Sequence, residues 1–179
     1  MTRIVGECRL YNLGEVLGDL ELQQRSVIVG GTAFPQPRLT QWFGAQAYAY
    51  SGLRWEPVHM PRVVSELREA VEELCHDKFN SCLVNYYRDG SDCVGWHSDN
   101  EPIFGHRAAV ASLSLGATRL FKLRRKSDHA EQLRFDLEHG SVLYMPPGTQ
   151  DEWEHTIPRT TAHVGPRLNL TFRQTVPHA

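Results

Sequence analysis

Pro166-Arg167-Leu168-Asn169-Leu170-Thr171-Phe172-Arg173 alternates polar and apolar residues without a slip. Strict period two is the mark of a β-strand with unlike faces. Arg167, Asn169, Thr171 and Arg173 share one face; Leu168, Leu170 and Phe172 share the other. The fold must therefore bury the apolar face in a core and turn the other toward something polar. At ~3.3 Å per residue the two guanidiniums stand roughly 20 Å apart along the strand. A solvated sheet face could carry this set. A small dicarboxylate matches it better, because two cationic forks bracket an amide and a hydroxyl.

Shorter strand-like runs recur at Leu83 to Tyr87, Ala109 to Leu115, Leu120 to Leu123 and Ser141 to Met145, bounded by Gly, Pro, Asn or Asp. One helix is expected from Pro61 to Leu74, with Pro61 at its first position and Val63, Val64, Leu67, Val71 and Leu74 on one face. Arg62, Glu66, Glu69, Glu72 and Glu73 fall mostly on the other. The expected fold is mainly β (α+β), a double-stranded β-helix or jelly-roll core with a supporting helix. A chain of 179 residues fits one domain, residues 1–179. Within it, residues 1–55 are expected to form a substrate-contacting lid region and 56–179 the jelly-roll core with its buttressing helix.

Composition narrows the function classes. Net charge is −2, which argues against coating nucleic acid by bulk charge. Lys122, Arg124, Arg125 and Lys126 are a local exception, fitting either a solvated hairpin tip or a phosphate-contacting edge. No stretch approaches the ~20 apolar residues that span a bilayer, and no signal-peptide pattern opens the chain. Cys8, Cys75, Cys82 and Cys93 show no paired spacing, so reduced thiols in an intracellular protein are expected. That means the cytoplasm in a bacterium, or nucleus and cytoplasm in a eukaryote. A monomer with no membrane association is the expected state.

Gly95-Trp96-His97-Ser98-Asp99 brings two metal-ligand types together, since alternate side chains in an extended segment share a face. Alone, His-x-Asp arises often by chance. His155 lies in another alternating segment, Trp153-Glu154-His155-Thr156-Ile157. Two imidazoles and one carboxylate on one side of an iron ion leave three positions open, the arrangement of non-haem Fe(II) oxygenases. Asn85 and Tyr87 share a strand face just upstream, and their amide and hydroxyl could orient a keto acid beside such a metal. A metal hydrolase would leave Arg167 and Arg173 without a purpose.

Taken together, Asn85-Tyr86-Tyr87-Arg88-Asp89-Gly90, His97-Ser98-Asp99, Ala111-Ser112-Leu113-Ser114-Leu115-Gly116-Ala117, His155 and the 166–173 strand resemble the AlkB family of Fe(II)/2-oxoglutarate dioxygenases. The resemblance runs from about Pro37-Arg38-Leu39 to Arg173. Pro37-Arg38-Leu39-Thr40 and Phe79-Asn80-Ser81 look most like homologues acting on single-stranded DNA and RNA.

The resemblance implies oxidative removal of methyl groups from N-alkylated bases such as 1-methyladenine and 3-methylcytosine. The cofactors would be Fe(II) and 2-oxoglutarate, with O2 as co-substrate. It assigns His97, Asp99 and His155 to the metal, and Arg167 and Arg173 to the two ends of 2-oxoglutarate. Asn85, Tyr87, Asn169 and Thr171 would complete its bed. Tyr50 would stack on the base with Tyr48 as a polar contact, and Asn100 stands where the relatives carry an acid, with Glu101 next to it. Duplex-acting relatives carry an apolar finger on an upstream hairpin; the matching tip here is Gly30-Gly31, which implies single strands, DNA or RNA, as partner. Two other readings stay open: a 2-oxoglutarate-dependent hydroxylase of another substrate or of modified tRNA, and a catalytically silent binding module.

Overall fold

The computed structural model describes residues 1–50, 52–106 and 108–176. In chain order the elements are β1 (Arg3–Glu7), α1 (Leu13–Leu17), β2 (Ser26–Val29), β3 (Thr32–Pro35), β4 (Leu39–Phe43), β5 (Tyr48–Tyr50), β6 (Leu53–Trp55), α2 (Arg62–Cys75), β7 (Ser81–Tyr87) and β8 (Val94–His97). They continue as β9 (Val110–Gly116), β10 (Arg119–Arg125), β11 (Gln132–Leu137), β12 (Ser141–Met145), α3 (Thr149–Glu152), β13 (Trp153–Ile157) and β14 (Arg167–Arg173).

Two antiparallel sheets carry the fold. The larger has the order β1-β12-β9-β14-β7-β4 and the smaller β11-β10-β13-β8. Tyr87, Val110, Leu143 and Met145 of the first pack with Phe121, Leu123, Leu137 and Ile157 of the second, closing the two into a jelly roll. Apart from the β10–β11 hairpin, the strands of these two sheets pair with strands distant in sequence, which is how a double-stranded β-helix differs from a meander.

The alternation of β14 does what its pattern demands. Leu168, Leu170 and Phe172 join Val63, Val64, Leu67 and Val71 of α2 in a second core on the outer side of the large sheet. Burying a side chain of this kind stabilises by ~1.5–3 kcal/mol relative to leaving it exposed. The helix begins one residue later than expected: Pro61, at φ −65° and ψ 162°, is its N-cap. Glu72 departs from the expected exposed face and is buried, its carboxylate accepting from the Phe79 N–H at 2.9 Å and from Lys78 Nζ at 2.8 Å.

The first 55 residues contribute to the core as well as to the cavity rim, because β1 and β4 are the two edge strands of the large sheet. Between them, β2 and β3 form a hairpin whose tip is Gly30-Gly31, both with positive φ (57° and 80°), as a two-residue turn of this hand requires. β5 and β6 form a second small hairpin bearing Tyr48, Tyr50 and Trp55. All four cysteines are unpaired. Among the described residues no helix is long and apolar enough to cross a membrane.

Candidate metal centre and co-substrate bed

A cavity of about 510 Å³ opens between the two sheets under the β5–β6 hairpin. The small sheet positions the side chains that could ligate a metal. His97 ends β8 and stands opposite His155 on β13, while β13 is itself paired to β10. Asp99 follows just beyond β8. One ligand atom from each of the three lies within 4.8 Å of the others.

Local contacts orient each of them. His97 Nδ1 sits 2.8 Å from the Gly95 carbonyl, so it carries the proton and leaves Nε2 as the donor atom. That Nε2 faces Asp99 Oδ1 at 3.7 Å. The Asp99 N–H donates to Gln150 Oε1, and the His155 ring stacks on Phe121 at 5.2 Å. Burial, with His97 beside it, pushes the His155 imidazole down to about 3, which keeps it neutral and able to donate its lone pair. Burial works to raise the Asp99 carboxyl, but Arg173, the two histidines and Arg38 hold it below its ordinary value, so it is ionised. Two imidazoles and one carboxylate fit a divalent iron ion.

The polar face of β14 forms the floor. Arg167, Asn169, Thr171 and Arg173 are at most 8% exposed, so the solvated-face alternative does not hold. Arg173 is the guanidinium nearest the metal ligands, with Nη1 3.5 Å from Asp99 Oδ1 and its plane over the Phe104 ring at 4.2 Å. Burial opposes its charge, yet Asp99, Tyr48 and Glu101 hold it above its ordinary value. Arg167, at the far end, donates to Ser114 Oγ at 2.8 Å and lies over the Tyr87 ring. Burial draws it down to about 10.

Nε and Nη1 of Arg167 and all three nitrogens of Arg173 are buried without a hydrogen-bond partner. Unpaired buried N–H groups of cations are costly, and two such clusters at opposite ends of one strand call for an anion with two carboxylates. The floor thus fits 2-oxoglutarate. Asn85, Asn169 and Thr171 lie between them, linked by Asn85 Nδ2 to Asn169 Oδ1 at 3.4 Å and Thr171 Oγ1 to Asn169 Oδ1 at 2.8 Å.

Over the metal ligands, Tyr50 lines the cavity and stacks on Trp55 at 5.3 Å and 10°. Tyr48 is 1% exposed and wedged against Trp42 and Trp55. Burial keeps its phenol well above its ordinary range, and the hydroxyl donates to Glu101 Oε1 at 2.8 Å. Glu101 Oε2 is buried and unpartnered, whereas Asn100 is exposed at the rim.

Sequence reasoning gave no role to Gln36, Arg38, Ser112, Ser114, Phe121 or Gln150. The serines were visible as alternate polar residues in an otherwise apolar run, and Arg38 lay within Pro37-Arg38-Leu39-Thr40; the others carry no local signal. The basic cluster is largely committed to protein. Arg124 lies over Trp96 and pairs with Glu154, Arg125 lies over Trp153 and pairs with Glu131 and Glu152, and Lys126 Nζ donates to the Gln150 carbonyl.

A jelly roll with a His-Asp-His cluster above a floor strand carrying two buried arginines defines a class. Residues 13–173 match the family model of the 2OG-Fe(II) oxygenase superfamily, and the chain belongs to that superfamily. Its cofactors are accordingly Fe(II) and 2-oxoglutarate. Within the superfamily it sits among the AlkB-type members. It is 40% identical over 174 residues to the alpha-ketoglutarate-dependent dioxygenase alkB homolog 3 of Mus musculus, covering 92% of this chain and 61% of that one. It is 36% identical over 150 residues to the DNA oxidative demethylase ALKBH2 of the same organism, covering 80% and 63%. The chain therefore spans about three-fifths of the length of these relatives. In fold it is similar to the solved structure of OsALKBH1, with a TM-score of 0.62, 22% identity and coverage of 89% and 88%.

Proposed function

We propose that this chain is a dioxygenase that oxidatively removes alkyl groups from the ring nitrogens of nucleobases, 1-methyladenine and 3-methylcytosine being the type substrates. The observation that carries the reading is a single cavity shared by three elements. His97, Asp99 and His155 line it, Arg167 lies on its floor with Arg173 buried beside Asp99, and Tyr50 backed by Trp55 forms the opposite wall. The relatives named as dioxygenase and as DNA oxidative demethylase support the same reaction class.

Each side chain has a task in this reading. His97, Asp99 and His155 hold Fe(II), which when bound supplies the activation of O2. Arg167 takes the distal carboxylate of 2-oxoglutarate, Arg173 the end nearest the metal, and Asn85, Tyr87, Asn169 and Thr171 fix the molecule between them. Tyr50 stacks on the extruded base and excludes water from the reacting N-alkyl group. Glu101 Oε2 accepts from the exocyclic amino group, oriented by the Tyr48 hydroxyl on its other oxygen. Asn100 at the rim offers a neutral amide, so charge attraction for a cationic base falls to Glu101 alone.

Single strands are the preferred partner, either DNA or RNA. A Gly30-Gly31 tip has no side chain to insert into a base stack, and bases in single strands need no wedge. The protein acts inside the cell as a monomer in this reading.

The deciding experiment is mass-spectrometric assay of matched oligonucleotides bearing 1-methyladenine or 3-methylcytosine, as single and double strands of DNA and RNA. Fe(II), 2-oxoglutarate and ascorbate are supplied, with His97→Ala as control. Loss of the methyl mass with wild type only is expected, fastest on single strands. Persistent methyl groups with continued conversion of 2-oxoglutarate to succinate would leave a hydroxylase of another substrate, including modified tRNA. No conversion of either would leave a silent binding module.

A further inference from the structure

Arg38 is a buried cation whose hydrogen-bond partners are all neutral. It immediately precedes β4 and is 7% exposed. Its Nε donates to Asn85 Oδ1 at 2.8 Å, its Nη2 to the Tyr50 hydroxyl at 3.0 Å, and its Nη1 reaches the Cys93 carbonyl at 3.5 Å. Keeping a guanidinium out of water with no carboxylate among its hydrogen-bond partners costs stability. A rigid fork spanning two specific acceptors is the return for that cost, and the two acceptors belong to different halves of the cavity.

On one side stands Tyr50, whose hydroxyl also accepts from the Gln36 amide. Two incoming donors fill both of its lone pairs, so the phenol ring is held at one height and angle. On the other side stands Asn85. With Oδ1 taken by Arg38, its amide can face only one way, and Nδ2 points at Asn169 Oδ1. The opposite orientation would set oxygen against oxygen at that contact and the amide NH2 against the Arg38 Nε–H, donor facing donor. Asn169 in turn donates to Ser112 Oγ at 2.8 Å and accepts from Thr171. One hydrogen-bonded chain thus runs Gln36–Tyr50–Arg38–Asn85–Asn169–Thr171, from the base-facing wall to the floor. Asn85 is an element with two discrete arrangements, of which Arg38 selects one.

We propose that Arg38 is a positioning residue that couples nucleobase binding to 2-oxoglutarate binding. A base stacked on Tyr50 and a 2-oxoglutarate lying along Asn85 and Asn169 both favour the arrangement in which Arg38 bridges them, so each ligand tightens the other. The proposal rests on the reading of the cavity given above.

The test measures binding, not turnover. The Fe(II)-loaded protein, kept anaerobic, is titrated with 2-oxoglutarate alone and with a saturating single-stranded oligonucleotide containing one 1-methyladenine. In wild type the 2-oxoglutarate Kd falls about tenfold when the oligonucleotide is present. Coupling is reciprocal, so the oligonucleotide Kd must fall by the same factor when 2-oxoglutarate is added. Arg38→Lys keeps the charge but has no planar fork, and Tyr50→Phe deletes one hydroxyl and nothing else. In both, the ratio of Kd values drops to about one. Variants that weaken either ligand while retaining the tenfold ratio would show a merely structural Arg38 and overturn the proposal. A wild-type ratio of one with firm oligonucleotide binding would overturn the coupling and leave the demethylase reading standing. No oligonucleotide binding at all would remove that reading and the coupling with it.

Discussion

His97 and His155 face each other directly across the β8–β13 pair, and their ring centroids are 4.2 Å apart. The separation of two candidate metal ligands distant in sequence is thereby set by the hydrogen-bond ladder between two strands. A one-residue slip of β13 would carry His155 to the outer face of the sheet and replace it by Glu154 or Thr156. The ladder irregularity in this pair falls between His155 and Ile157, beyond the ligand position.

Asp99→Ala removes the only carboxylate of the cluster. Metal content after Fe(II) reconstitution and turnover of 2-oxoglutarate should both fall to background, while circular dichroism stays that of the wild type. Full activity in this variant would sink the ligand assignment.

Arg167→Ala and Arg173→Ala each delete one partner of a buried, charge-assisted contact. Such truncations cost ~2–5 kcal/mol, or about thirtyfold and upward in affinity. The requirement for 2-oxoglutarate should rise by that factor, and that for the oligonucleotide far less. Equal effects on both would mean that β14 serves something other than the keto acid.

Asn100→Asp places a charge at the rim beside Glu101. An exposed charge contributes about 0.2–1 kcal/mol, so kcat/KM on cationic 1-methyladenine should rise by roughly 1.4- to fivefold relative to an uncharged methylated base. No change in that ratio would show that position 100 does not approach the base.

Gly116→Ala tests the close approach at the entry to β14. Gly116 has φ +95°, and an added Cβ would lie 2.4 Å from the Pro166 carbonyl oxygen. Both the left-handed backbone and the clash oppose a side chain, for a loss of about 2 kcal/mol or more. For a chain of this size that lowers Tm by about 4–8 °C. An unchanged melting curve would contradict the geometry of this corner.

Much of the site was legible because strand alternation is a near-neighbour property. β14 needed nothing beyond its own eight residues to separate Arg167, Asn169, Thr171 and Arg173 from Leu168, Leu170 and Phe172. His97-Ser98-Asp99 was readable in the same way, and β12 was expected at the bounds it has, Ser141 to Met145. β11 went unread although Leu133, Phe135 and Leu137 alternate. Its alternation is as regular as that of β14, with Gln132, Arg134 and Asp136 exposed on the outer face at the sheet edge. Glu72 was assigned to the solvated side by helical period alone. What buries it is the Phe79 N–H arriving from the turn after α2, a contact that no periodicity contains.

By itself, then, the sequence determined which side chains share a face, which residue types could bind iron and a dicarboxylate, and that the chain forms a β-rich fold with one buttressing helix. Tertiary structure alone decided that β1 and β4 close the edges of the large sheet, that His155 meets His97, and that Arg38 joins Tyr50 to Asn85. The physical reason is one of range. Alternation follows from backbone geometry within a strand, whereas pairing and register follow from which strands together bury the most apolar surface and satisfy the most hydrogen bonds. That choice belongs to the whole chain at once.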